Sequence, residues 1–124
     1  MIKTKHFLES VEEDDGQRIW VEPHGLTKDL REWCAVDHVL PHLGPAPKLR
    51  SWFDKHPDAY DYFAEKYHNA LKKSPYHAAL RDLASAASEE NFTLLYDGED
   101  PAHNTATAMY EYLTEIQFSP PPEA

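Results

Sequence analysis

The sequence predicts an α/β fold: a small layered domain in which a short, mostly parallel sheet has helices on both faces. The main observation is a continuous apolar run at residues 92–97, which lies between two segments with helical periodicity. A strand that is apolar at successive positions is typical of a sheet covered on both sides. The length of 124 residues leaves room for one such domain, which we assign to residues 1–118.

Two segments near the start of the chain have strand character. Residues 2–8 are extended in character, and residues 17–22 place Ile19 and Val21 on one face. The acidic turn between them, residues 12–16, is too short to hold a crossover helix. We therefore expect these two strands to run antiparallel or to splay apart.

Helical periodicity fills most of the remaining chain, where apolar residues recur at steps of three and four. Prolines mark the boundaries, because proline suits the first turn of a helix and stops a helix that runs into it. Asp100 can cap the last helix, with Pro101 at its first position. The predicted helices cover residues 27–39, 48–53, 57–72, 74–91 and the segment that begins at 101.

The apolar stripes of these elements predict the core, and the end of the chain is expected to lie outside it. Three consecutive prolines predict a disordered tail at residues 119–124. The predicted core consists of Ile19, Val21, Trp33, Leu49, Phe53, Phe63, Tyr67, Leu83, Leu94, Leu95, Met109 and Leu113.

Charge and cysteine content limit the classes of partner. A formal charge of -10 repels phosphate backbones, so we expect neither nucleic acid nor an anionic membrane as a partner. Cys34 is the single cysteine, which excludes an intramolecular disulfide and favours an inert, half-buried thiol over a reactive one. No stretch approaches the ~18 apolar residues of a membrane span, and we expect a cytoplasmic protein.

The candidate site is predicted from the sheet. In open α/β sheets, ligands bind outside the carboxyl ends of the strands, where loops and helix N-termini present unpaired N–H groups. Two segments of this chain, 22–25 and 96–104, follow predicted strands in this way. We expect a small polar or anionic ligand there, and the candidate ligand-binding residues are Arg18, Glu22, His24, Tyr96, Asp97, His103 and Asn104.

Other interpretations of the same residues stay open. His103 and Asn104 could act as a structural cap with no ligand, and His24, His103, Glu22, Asp97 and Asp100 could be imagined around a metal. The spacing of these residues matches no metal motif, so we predict no metal site and assign no cofactor. The chain also has no phosphate-binding glycine loop, nucleophile elbow, HExxH or paired-cysteine motif. Catalytic residues and enzyme status therefore remain unassigned.

The chain resembles the YeaO-like bacterial family, domain of unknown function 488 (DUF488). The resemblance extends over residues 2–117 and depends on three groups of residues that occur in the family's order. The family has no established activity to transfer, so the resemblance implies a small cytoplasmic α/β domain and no reaction. The residues that carry it are Asp15-Gly16 with Arg18-Ile19, Ala46-Pro47 with Leu49-Arg50 and Trp52-Phe53, and Thr93-Leu94-Leu95-Tyr96 followed by His103-Asn104 and Ala106.

The chain departs from the family pattern at one of the two predicted strand ends. Members of the family typically carry Asp-Arg-Leu-Trp-Pro-Arg-Gly after the second strand, whereas this chain has Glu22-Pro23-His24-Gly25. Both arginines are missing, and His24 falls where the second would be. Two functions are therefore compared: a domain that binds a small molecule, whether as an enzyme or not, and a non-catalytic interaction or regulatory module whose acidic surface binds a basic protein partner.

Overall fold

The strands of the sheet are short and all parallel. A computed structural model describes residues 1–117, and within them four strands form one sheet in the order β1-β4-β2-β3. The strands are β1 (Ile2–His6), β2 (Gln17–Trp20), β3 (His38–Val39) and β4 (Phe92–Tyr96). The helices are α1 (Lys28–Trp33), α2 (Pro47–Lys55), α3 (Tyr60–Lys72), α4 (His77–Ala86) and α5 (Thr105–Gln117). The predicted α/β fold class is confirmed.

The last strand in the sequence lies in the middle of the sheet. Every residue of β4 is buried, and its backbone pairs with β1 on one side and β2 on the other. Phe92 lies opposite both Ile2 and Gln17 at the start of these pairings. The apolar run therefore forms the central strand, as its composition predicted, and Asp97 follows directly after the strand end.

The antiparallel arrangement, one of the two expected for the first two strands, is wrong. β1 and β2 run parallel, with β4 inserted between them. The connection at residues 7–16 contains only one 3-10 turn, Glu13–Asp15. It spans two strand spacings, about 10 Å, and also returns along the sheet, which ten residues can do without a crossover α-helix. The prediction failed because it treated strands that are consecutive in sequence as neighbours in space.

The two faces of the sheet carry layers of different thickness. Ile19 and Leu94 belong to a large core that α2, α3, α4 and α5 complete. Trp20 and Leu95 belong to a smaller core on the other face, which includes Cys34 and Val36 from the segment after α1. Cys34 is 4% exposed, as an inert thiol would be.

The first helix is shorter than predicted. α1 ends at Trp33, Ala35 has a positive φ of 51°, and the chain then enters β3, which replaces the last part of the predicted 27–39 helix. Trp33 was predicted in the core but is 85% exposed, because α1 buries none of its residues. Leu49 and Leu83 are only partly buried against the core, and the other predicted core residues are buried.

The start of the last helix is also corrected. α5 begins at Thr105 and not at Pro101, and Asn104 Oδ1 accepts a hydrogen bond from the Thr107 N–H at 2.8 Å. Asp100 instead accepts from the Ala102 N–H at 2.8 Å, which stabilises a bend before the helix. The predicted disordered tail, 119–124, lies outside the described residues.

Buried charges fix the connection between β1 and β2. We call Lys3, Lys5, Asp15 and Arg18 the Asp15 cluster: the Asp15 carboxylate lies 3.0 Å from Lys3 Nζ, 2.8 Å from Lys5 Nζ and 2.8 Å from Arg18 Nη1. Asp15 and Arg18 are each 1% exposed. Gly16 follows with a φ of 62°, and a Cβ there would lie 1.8 Å from the Asn91 carbonyl oxygen, so only glycine fits.

Among residues 1–117, no helix has the length and hydropathy that crossing a bilayer requires.

Candidate functional site

The carboxyl ends of β2 and β4 meet at one edge of the sheet. Trp20 pairs with Leu95, so the residues that follow these strands, Glu22 and Asp97, lie side by side. Glu22 is completely buried, and its Oε2 accepts a hydrogen bond from the Asp97 N–H at 3.2 Å. One strand end is therefore tied to the other through a buried carboxylate.

Arg50 of α2 binds both strand ends. Its Nε donates to Glu22 Oε1 at 2.8 Å, and its Nη2 donates to Glu22 Oε2 at 3.3 Å and to Asp97 Oδ1 at 3.0 Å. Its Nη1 donates to Asp54 Oδ1 at 2.5 Å, one helical turn along α2. Three carboxylates thus surround one guanidinium, which can make such bonds because its donors point outward in a fixed plane.

Burial and neighbouring charges move the pKa values of the two strand-end carboxyls in opposite directions. Burial raises the pKa of Glu22, and the adjacent Asp97 raises it further, against the opposing effect of Arg50. Burial also opposes ionisation of Asp97, but hydrogen bonds with Glu22 and His24 and the charge of Arg50 hold its pKa below the usual value. Asp97, the more exposed of the two, is therefore the carboxylate that carries its charge most readily.

A cavity of about 540 Å³ opens above this arrangement, between α2 and the segment that joins β4 to α5. His24 Nε2 lies 2.5 Å from Asp97 Oδ2 at its edge. His103 Nδ1 lies 3.0 Å from Asp100 Oδ2, and its ring centroid is 4.8 Å from that of Tyr60. The lining residues are His24, Arg50, Phe53, Asp54, Pro57, Asp97, Gly98, Glu99, Asp100, His103 and Asn104.

The structure brings most of the predicted site residues together. His24, Asp97, His103 and Asn104 line the cavity. Glu22 lies buried beside it and contacts two of the lining residues, Arg50 and Asp97.

Two predicted residues lie elsewhere. Arg18 is buried in the Asp15 cluster, where its guanidinium donates to Asp15 and to the Cys34 carbonyl oxygen. Tyr96 is 4% exposed and belongs to the large core, because side chains alternate between the faces along β4. His103 precedes α5, so it is not the third helical position that the sequence indicated.

Three of the lining residues that the sequence interpretation missed, Arg50, Phe53 and Asp54, come from α2. Arg50 was not among the candidate site residues, and the structure pairs it with Glu22, Asp54 and Asp97. Phe53 and Asp54 were not considered for the site. Arg50 and Phe53 belong to the group of residues that carries the family resemblance, and this membership was the indication of them in the sequence.

Within residues 1–117, no three His, Cys, Asp or Glu side chains are placed to hold a metal ion.

Comparison with known proteins gives a family and several uncharacterized relatives. The family described as the inactive DUF488-N3 subclade matches residues 1–118. The uncharacterized protein YeaO of Escherichia coli K12 is 30% identical over 121 residues, which cover 93% of this chain and 98% of that protein. The uncharacterized proteins Rv3073c of Mycobacterium tuberculosis and Mb3100c of Mycobacterium bovis are each 33% identical over 88 residues, covering 66% of this chain and 70% of theirs. No solved structure is significantly similar to the chain.

Proposed function

This chain belongs to the inactive DUF488-N3 subclade, and we propose on that basis that it is a non-catalytic domain that binds a small polar ligand. The membership confirms the resemblance to the YeaO-like DUF488 family. The proposed binding site is the cavity at the carboxyl ends of β2 and β4. Residues 1–118 would act as the single binding domain.

The position of the cavity is the observation that carries this proposal. Polar side chains from the end of β2, from α2 and from the segment after β4 converge on a space of about 540 Å³. Cavities of this size are typical of small-ligand sites, and the carboxyl edge of a parallel sheet is where such ligands bind. His24, Asp97 and His103 would make the direct contacts, and Asn104, which is 2% exposed, would hold the start of α5 beside them.

The charges around the cavity favour a neutral or positively charged polar ligand over the anionic alternative. The side chains of Asp54, Asp97, Glu99 and Asp100 line the cavity, whereas Arg50 already binds Glu22, Asp54 and Asp97. An anion would have to displace one of these carboxylates from the guanidinium. A hydroxyl, amide or amine group could instead donate to a lining carboxylate without breaking an existing ion pair.

Two observations favour binding without catalysis. The subclade is described as inactive. In addition, Arg50, which could otherwise stabilise negative charge in a reaction, is neutralised by three carboxylates. The absence of both family arginines near His24 removes further positive charge from the same strand end.

The second candidate function is the regulatory module, in which the acidic surface binds a basic protein partner. The net charge of -10 favours this candidate, since complementary charge accelerates association and selects basic partners. The same charge argues against nucleic acid as a partner for either function. A single cysteine, which cannot form an intramolecular disulfide, favours the cytoplasm for both.

A thermal-shift screen followed by calorimetry tests the proposal. The screen contains amines, polyols, amides, carboxylates and phosphates, and a ligand at 100 times its Kd should add about 2.7 kcal/mol to the free energy of unfolding. We expect stabilisation by an amine, polyol or amide in the native protein and in the control Glu65→Gln, whose side chain is exposed on α3. Asp97→Asn should abolish it. No stabilisation by any compound, or binding that survives Asp97→Asn, would contradict the proposed site.

The native protein and Asp97→Asn also distinguish the regulatory module from the ligand-binding domain. A lysine-rich peptide that binds the native protein and Asp97→Asn equally, and that dissociates as salt is raised, would favour the regulatory module.

A further inference from the structure

The lining of the cavity at the carboxyl ends of β2 and β4 is negative. Apart from its histidines, the described lining has one positive group, Arg50, against four carboxylates, which gives a formal charge of -3. A partly enclosed site of one sign concentrates ligands of the opposite sign. The four lining carboxylates are Asp54, Asp97, Glu99 and Asp100.

The hydrogen-bond donors of this lining are largely used by the protein itself. The Arg50 guanidinium makes four bonds to carboxylates, out of the five that its N–H groups can donate. The side-chain amide of Asn104 donates to the Asp100 carbonyl oxygen at 2.9 Å. A ligand that consists mainly of acceptors therefore finds few partners in the cavity.

The acceptors of the lining are available on two walls. On the α2 wall, Asp54 Oδ1 binds Arg50, whereas Asp54 Oδ2 accepts no hydrogen bond within residues 1–117. On the wall formed by the segment after β4, no hydrogen bond or ion pair in the described part of the chain reaches the Glu99 carboxylate. Phe53 and Pro57 add apolar surface to the same cavity. The cavity thus combines two negative walls with an apolar surface.

A metal ion does not suit this arrangement of carboxylates. Ca²⁺ and Mg²⁺ require several oxygen ligands at about 2.0–2.6 Å from one point. No three His, Cys, Asp or Glu side chains among residues 1–117 are placed in that way. An organic cation can instead carry separate positive groups, each of which donates hydrogen bonds to a different carboxylate.

We propose that the ligand is a diamine, a short aliphatic chain with an ammonium group at each end. This inference rests on the proposed function, because it specifies the ligand of the same cavity. One ammonium group binds Asp97 and Glu99, and the other binds Asp54 on α2. The methylene groups between them pack on Phe53 and Pro57. Each ammonium group supplies three N–H donors, which match a lining rich in acceptors.

Titration calorimetry of the full chain with matched probes tests the ligand class. The probes are diaminopropane, diaminobutane and diaminopentane, with butylamine, butanediol and CaCl₂ for comparison. We expect the best diamine to bind about tenfold more tightly than butylamine, which corresponds to about 1.4 kcal/mol, and we expect no binding of butanediol or Ca²⁺. Added salt should weaken binding of the diamine more than binding of butylamine, because the diamine makes two screened ion pairs.

Asp54→Asn separates the two ends of the ligand. It should lower the affinity for the diamine about tenfold and leave the affinity for butylamine unchanged, because the wall after β4 carries three of the four carboxylates and attracts a single charge. The Asp54 side chain is 66% exposed, so the variant should fold, and thermal denaturation checks this. The matched control is Asp29→Asn, which removes the same charge from α1, a helix with no described residue in the cavity lining, and should change neither affinity.

The outcomes separate the ligand class from the proposed function. The diamine is wrong, and the cavity remains a binding site, if butanediol or butylamine binds as tightly as the best diamine, or if Asp54→Asn leaves the affinity for the diamine unchanged. Binding of Ca²⁺ that Asp97→Asn abolishes would also overturn it. If no amine, polyol, amide, carboxylate or phosphate binds to the native protein, the diamine and the proposed function fail together.

Discussion

Replacing Asp15 by Asn should destabilise the protein by about 3 kcal/mol, because it leaves buried positive charges without their partner. Removing one member of a buried ion pair costs ~3–5 kcal/mol. Here the lower end applies, since Arg18 keeps its hydrogen bonds to the carbonyl oxygens of Cys34 at 3.0 Å and Glu9 at 3.1 Å. Lys5 likewise keeps Glu12 Oε1 at 2.7 Å.

The pH dependence of this effect follows from the depressed pKa of Asp15. Burial opposes ionisation, but hydrogen bonds from Lys5, Lys3 and Arg18 hold the pKa of Asp15 far below its usual value. The stabilisation is therefore fully present above the unfolded-state pKa of about 3.9 and is lost as the pH falls below it. Urea denaturation at a series of pH values should show a constant gap between native protein and Asp15→Asn above about pH 5, and a narrowing gap in more acidic buffers.

Asp14→Asn is the matched control. Asp14 also pairs with Lys3, at 2.7 Å, but its side chain is 62% exposed, so solvent screens the pair and its loss should cost far less stability than the loss of Asp15. The reasoning is refuted if the two variants lose the same stability at neutral pH, or if Asp15→Asn loses under ~1 kcal/mol, since breaking a buried pair should cost more.

Two further changes test the core and the cavity. Leu95→Ala should cost ~2–5 kcal/mol in urea denaturation, because Leu95 is fully buried in the central strand; a loss below ~1 kcal/mol would contradict that position. His103→Ala should leave the unfolding midpoint almost unchanged, because the side chain is 53% exposed, yet should weaken binding of any ligand that Asp97→Asn abolishes. Unchanged calorimetric affinity would remove His103 from the proposed site.

The sequence predicted those elements whose conformation follows from their own residue pattern. β4 was predicted because burial on both faces requires apolar residues at successive positions, and α3 because Phe63 and Tyr67 recur at helical spacing. β3 could not be predicted in this way. It has only the residues His38 and Val39, and its extended form depends on pairing with β2.

The candidate site was predictable only in the part that the strands determine. The rule that ligands bind at the carboxyl ends of parallel strands identified Glu22 and Asp97. Arg50 could not be placed, because its role depends on where α2 packs against the sheet. The helix start was ambiguous, since Asp100 and Asn104 are both favourable capping residues, and the structure uses Asn104, which is 2% exposed.

The central position of β4 has a consequence for how the chain folds as it is synthesised. In the part of the chain that the structure describes, β1 pairs with no strand other than β4, and this pairing joins Ile2 to Phe92. β1 therefore remains unpaired during synthesis until the ribosome has released most of the chain. Contacts between such distant residues form slowly, because a long loop must close before any of them stabilises the structure. Nascent chains that stop before residue 92 lack the strand that joins β1 to β2, and they expose apolar surface for chaperones or proteases to recognise.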